Sequence, residues 1–180
     1  MIRTRIPVMG VIESTDGAPL RVQKYTAPAL MAGGFSLALL AGAFAFQYLG
    51  GLAPCEMCIW QRWPHGGAIL LGLGGGALAL SRVLPQDTVK ALAWLALLAI
   101  ALSGAIGIFH AGVEWKWWLG PSHCTGVGYV PGQDDFKPLQ VVRCDEAQWR
   151  LFGISLAGYN GIFSLAVAGF LAHLLTRKAP

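Results

Sequence analysis

The chain has 180 residues, 55% of them hydrophobic and only 12% charged, with a mean hydropathy of +0.56. Those values exclude an ordinary soluble domain and imply one small integral membrane domain. The formal charge of +4 and pI near 9.0 do not signal nucleic-acid binding, because the basic residues are scattered beside apolar runs instead of gathered in a patch. Residues 1–26 hold the polar tract ESTDG between the early arginines and the first apolar run. That pattern does not fit a secretory signal peptide and reads as a cytoplasmic N-terminal tail. Four segments free of Asp, Glu, Lys and Arg follow, at about 27–50, 63–81, 91–113 and 151–175, leaving 176–180 as a C-terminal tail. At about 1.5 Å per residue each is long enough to cross roughly 30 Å of hydrocarbon. The expected fold is all-α, an integral membrane four-helix bundle over 27–175. The small-residue run GLGGGALAL in the second span predicts close helix approach.

Basic residues set the expected orientation. Eight Lys and Arg residues flank one set of span ends, including Arg21, Lys24, Arg82, Lys90 and Arg177. Five flank the other: Arg62, Lys116, Lys137, Arg143 and Arg150. The acidic residues run the opposite way, three against six. The positive-inside rule therefore predicts both termini and the 82–90 loop in the cytoplasm, with two cysteine-bearing loops on the outer side.

The first outer loop carries PCEMCIWQR, in which Cys55 and Cys58 are followed by Arg62; the second carries Cys124 and Cys144. Four cysteines allow three pairings, of which the close spacing favours Cys55–Cys58 with Cys124–Cys144. Both bonds could be staples. A two-residue spacer, however, closes a very small ring and removes little entropy from an unfolded chain. The same spacing suits dithiol exchange, in which one thiolate attacks and its neighbour resolves. A zinc site built with His123 is the competing reading, but Cys124 and Cys144 are too far apart to supply a second close ligand pair. A haem attachment fails because Ile59 follows Cys58.

Arg62 lies four residues after Cys58, which on a helix sets guanidinium and sulfur on one face; a cation and a helix N-terminus both favour a thiolate. Its bland alternative is a snorkelling interfacial arginine. Pro64 suits a helix's first turn and predicts a helix start slightly later than Cys58. His110, near the outer end of the third span, is a functional candidate by virtue of its depth, or else a histidine bonded to a neighbouring helix. Trp115, Trp117 and Trp118 read as an interfacial belt, and Tyr159 and Asn160 as interhelical hydrogen bonders. His65 and His173 read as interface residues.

The motifs PCEMCIWQRW, FHAGVEWKWWLGPSHCTG and RCDEAQWRLFGISLAGYN, over residues 27–175, resemble the DsbB family of bacterial inner-membrane disulfide-generating proteins. The resemblance implies a monomeric thiol:quinone oxidoreductase whose catalytic residues are Cys55, Cys58, Cys124 and Cys144. A periplasmic, DsbA-like thioredoxin-fold protein is the implied partner and a membrane quinone, ubiquinone or menaquinone, the implied acceptor. Cys124 would form the mixed disulfide with the partner, Cys144 would then attack Cys55, and Cys58 would face the quinone. Arg62 and His110 match quinone-contacting positions. DsbA, the standard example of this energetics, sits near about −120 mV, so passing two electrons to a glutathione-like pool near −200 mV would be uphill by roughly 3.7 kcal/mol. A lipid-soluble acceptor removes that obstacle. A vitamin K epoxide reductase-type enzyme would carry its CxxC late in the bundle, not after the first span. A scaffold with two structural disulfides would need no quinone and would tolerate loss of Arg62.

Overall fold

The computed structural model describes residues 24–125 and 142–177. Helix α1 runs Thr26–Tyr48, α2 Glu56–Ile69, α3 Gly75–Leu80, α4 Gln86–Glu114 and α5 Leu156–Thr176, and a π-helical turn, Leu70–Gly74, joins α2 to α3. Strands β1, Arg150–Leu151, and β2, Ile154–Ser155, form an antiparallel hairpin before α5. Three helices, α1, α4 and α5, are long and apolar enough to cross a membrane. The protein is thus helical with at least three candidate spans, and the fourth apolar segment lies within the α2–π–α3 stretch.

The expectation for that second segment needs correction at its start. Helix α2 begins at Glu56, seven residues before the expected boundary, and Pro64 stands inside it instead of in its first turn. Proline has no N–H to give the carbonyl four residues earlier, yet the helix continues. Cys55 explains the early start. It is the N-cap, extended at φ −75° and ψ 171°, and its sulfur accepts the backbone N–H of Cys58 at 3.2 Å. A sulfur here takes the place usually held by a Ser or Asp oxygen.

The fourth segment also differs. The apolar run from 151 opens with the hairpin, whose two-residue turn has Phe152 and Gly153 at positive φ, 49° and 81°. That is the backbone of a primed hairpin turn, in which glycine relieves one of the two left-handed positions. Ser155 then caps α5 by accepting from the N–H of Gly158. Apolar content alone cannot mark this boundary, because hairpin and helix are equally free of charge. Among the described residues the fold is therefore helical, as expected, with one small hairpin before α5.

Packing follows the small residues. Helices α4 and α5 form the most extensive pair, and α1 lies against α2, the π turn and α4. The core joins Ala29, Ala32, Ala68, Ala93, Ala96 and Ile100, all at or near zero exposure. Large apolar side chains such as Leu70, Leu98 and Phe170 point outward, as suits a lipid-facing surface. Close approach is tightest where α1 meets the π turn. A Cβ on Gly72 would lie 2.6 Å from the carbonyl oxygen of Ala29 and 2.6 Å from the nitrogen of Gly33. Both obstacles are backbone and cannot move aside. We expect Gly72→Val to destabilise the protein by about 2 kcal/mol or more. Thermal unfolding in detergent checks it, and a melting temperature equal to that of the parent would show that the helices can separate at no cost.

Candidate redox site

The two cysteine pairs, one at the N-terminal end of α2 and one in the segment between α4 and α5, meet at one end of the helices. Cys55, Met57, Val113, Cys124 and Cys144 form one buried cluster, with Cys58 and Val142 packed on it. Cys124 and Cys144 are bonded to each other, and the Cys144 N–H donates to the Cys124 carbonyl at 2.7 Å. Cys55 and Cys58 are free thiols with sulfurs 2.7 Å apart. The cysteine expectations thus find all four residues together, as a disulfide beside a dithiol. At Cys55 the hydrogen bond to Cys58 and then burial hold the thiol well above the usual range, only partly opposed by the Cys58 amide.

The second loop is docked on this end by polar contacts. Asp145, next to Cys144, accepts two hydrogen bonds from Arg143, at 3.0 and 2.8 Å, and a third from Lys116. Arg143 first and Lys116 second hold its carboxyl well below the usual carboxylate range. Lys116 also donates to the Asp145 carbonyl at 2.9 Å, from a left-handed backbone at φ 62°. His123 pairs with Glu56 at 2.9 Å, and Gln148 donates to the Ala53 carbonyl at 2.6 Å. The stretch PGQDDFKP, whose Gly, Pro and Asp content predicts mobile backbone from the sequence, lies outside the described residues.

Arg62 sits at the edge of a cavity of about 490 Å³ between α1, α2, α4 and α5, whose wall also includes Cys55, Cys58, His110 and Phe163. Its Nη1 donates to Gln47 Oε1 at 2.5 Å, and its guanidinium lies 5.0 Å from the centre of the Phe44 ring. A mostly apolar chamber with a planar donor at one edge fits a ring bearing two carbonyls and an apolar tail.

His110 is 2% exposed and joins the two pairs. Its Nε2 lies 3.1 Å from the Cys144 carbonyl oxygen and 3.6 Å from the Cys55 sulfur. On its other side Gln61 Nε2 is 2.9 Å from His110 Nδ1. Gln61 Oε1 accepts from Asn160 Nδ2 at 2.8 Å, and Asn160 Oδ1 faces His65 Nε2 at 3.0 Å. Ser36 Oγ closes this chain, 3.1 Å from His65 Nδ1. Asn160 therefore does bond across helices, as expected, whereas Tyr159 does not: its hydroxyl donates to the Leu151 carbonyl in the hairpin. His65, expected at an interface, is instead buried in this chain, while His173 sits in the last turn of α5. Trp115, Trp117 and Trp118 are exposed as a group at the end of α4.

Sequence reasoning missed Gln61, Ser103 and Glu114. Gln61 is buried beside Arg62, Ser103 donates to the Gln61 carbonyl at 2.8 Å, and Glu114 is the last residue of α4 with its Oε1 3.7 Å from His110 Nε2. An uncharged polar residue inside an apolar span was the available signal for Ser103 alone, since Gln61 precedes the expected second span.

The family model for disulfide bond formation protein DsbB matches residues 25–174. The chain belongs to the DsbB family. Similar relatives include disulfide bond formation protein B of Actinobacillus pleuropneumoniae, 28% identical over 79% of this chain and 81% of the relative. Disulfide bond formation protein B 2 of Pseudomonas aeruginosa is 31% identical over 84% of this chain and 87% of the relative. A third, from Haemophilus influenzae, is 28% identical over 73% and 76%. No solved structure gave a significant match. As a DsbB-family protein the chain is a disulfide-generating oxidoreductase of the membrane.

Proposed function

We propose that this DsbB-family protein is a four-span thiol:quinone oxidoreductase of the bacterial inner membrane. Its termini and the 82–90 loop face the cytoplasm and its cysteine loops the periplasm. The Lys and Arg distribution supports that orientation. The domain comprises 27–175, with the second span drawn from the α2–π–α3 stretch and cytoplasmic tails at 1–26 and 176–180.

The single observation that carries the reading is the convergence of both cysteine pairs in one buried cluster beside an apolar cavity. Two staples would have no need to meet. In the proposed cycle a thiolate of a reduced, DsbA-like protein attacks Cys124, the Cys124–Cys144 bond breaks, and the electron pair leaves on Cys144. The partner's second thiolate then displaces Cys124, completing the partner's disulfide. Cys144 attacks Cys55 of an oxidised Cys55–Cys58 pair, and the pair leaves on Cys58. Cys124 next displaces Cys55 to restore the second disulfide, leaving a Cys55–Cys58 dithiol.

Quinone, when bound in the cavity, supplies a two-electron, two-proton acceptor for that dithiol. Arg62 and His110 line the cavity and would hold it, and Cys58, which lines the cavity together with Cys55, would be the sulfur facing the acceptor. The Cys55 thiol, 2.7 Å from the Cys58 sulfur, and then the Arg62 guanidinium favour negative charge on Cys58. Purified protein given a reduced DsbA-like partner and quinone should consume one quinone for each partner disulfide formed. Partner oxidation that continues beyond one equivalent per protein without quinone loss would refute the relay.

A further inference from the structure

Each link of the buried chain behind His110 has a defined direction. Gln61 Nε2 donates to the carbonyl of Met57 at 3.1 Å, and a carbonyl can only accept. The amide nitrogen is thereby fixed on the side facing His110 Nδ1. Asn160 is pinned in the same manner, since its Nδ2 lies 3.2 Å from the Ser103 carbonyl. Its Oδ1 must then accept, from Ser164 at 3.0 Å and from His65 Nε2. His65 thus carries its proton on Nε2, leaving Nδ1 to accept from Ser36. Followed link by link, donation runs from Ser36 through His65, Asn160 and Gln61 into Nδ1 of His110. That nitrogen is an acceptor, so the His110 proton resides on Nε2, facing the Cys144 carbonyl and the Cys55 sulfur.

We propose that Gln61, Asn160 and His65 are positioning residues for disulfide exchange between Cys144 and Cys55, holding His110 as an Nε2–H donor that bridges the two. The proposal rests on the relay described above. In that step the Cys144–Cys55 bond forms, the Cys55–Cys58 bond breaks, and the electron pair leaves on Cys58, so negative charge spreads over three sulfurs with Cys55 at the centre. An N–H held toward the central sulfur stabilises that charge without reorganising during the reaction. The same N–H grips the backbone of the attacking residue. With its proton on Nε2 and Nδ1 occupied by Gln61, the imidazole acts as a donor and not as a base toward these thiols. Glu114 Oε1, at 3.7 Å from Nε2, is beyond hydrogen-bond length and does not take the proton's place.

Two readouts on the full-length protein in detergent micelles test this. Nitrogen NMR of 15N-histidine-labelled protein, with His110 assigned by its loss in His110→Asn, reports which ring nitrogen is protonated. Rapid acid quench followed by peptide mass analysis measures formation of the Cys55–Cys144 disulfide after reduced partner is added. The parent should show His110 protonated on Nε2 alone. Gln61→Leu and Asn160→Leu should both shift that signature and slow the exchange by about ten- to a hundredfold, the scale of misplacing a reacting group. Exchange of the partner with Cys124 should keep its rate. A parent His110 protonated on Nδ1 overturns the proposal whether or not the variants fold. So does a variant that changes the tautomer without the rate, or the rate without the tautomer. Failure to trap any Cys55–Cys144 disulfide in the parent overturns the relay itself and the positioning role with it.

Discussion

Replacing Cys58 by serine is expected to abolish quinone reduction, on the order of a thousandfold or more, because the thiolate that must deliver electrons to the acceptor is gone. The second pair should be untouched in its own chemistry. Cys124–Cys144 lies across the cluster, bonded to itself and docked through Asp145, so a reduced partner should still exchange with it once per protein molecule. Stoichiometric partner oxidation without turnover is the expected pattern, read by thiol titration alongside quinone absorbance. Arg62 supplies the graded contrast. Arg62→Ala should lower quinone turnover by about a hundredfold, whereas Arg62→Lys keeps a charge but loses the planar fork and should fall between. Normal quinone kinetics in both Arg62→Ala and Cys58→Ser would remove this corner of the cavity from the reaction.

Cys144→Ser should stop turnover just as completely, but at the opposite end of the relay. With Cys144 absent, the free Cys124 thiolate should capture a single-cysteine partner supplied as its mixed disulfide with a small aromatic thiol, the electron pair leaving on that small thiol, and no second thiol is present to displace the product. A mixed disulfide should accumulate toward one partner per protein, visible as a mass shift on a non-reducing gel that dithiol reverses. Cys124→Ser should give little of that product. Equal trapping by both variants would reverse the assigned roles of attacked and resolving cysteine.

How much of this was legible beforehand depended on what kind of signal each feature leaves. The apolar spans are long and free of charge, so α1, α4 and α5 could be read directly, within a few residues at most ends. The start of α2 could not, because the rule that proline favours a first turn competed with a cap made by an unusual atom, the Cys55 sulfur. The hairpin before α5 was hidden for another reason: LFGIS carries no polar residue to separate a turn from a helix until Ser155. At the site, the cysteines announced themselves by spacing, and His110 by its depth. Its setting did not. Gln61, Ser103 and Asn160 come from three different helices, and only packing shows that they face one another.

In the proposed relay Cys55 holds two offices at once, as a reacting sulfur and as the acceptor that closes the first turn of α2. A sulfur tied into a disulfide is a weaker acceptor than that of a free thiol, and oxygen side chains at this cap position are worth about 0.5–2 kcal/mol. In the proposed relay the outermost turn of α2 should therefore tighten and slacken with each cycle, and Gln61 and Arg62, farther along the same helix, reach the histidine chain and the cavity. On that relay the backbone would keep a mechanical record of where the electrons are, its firmness varying in step with the oxidation state of the pair.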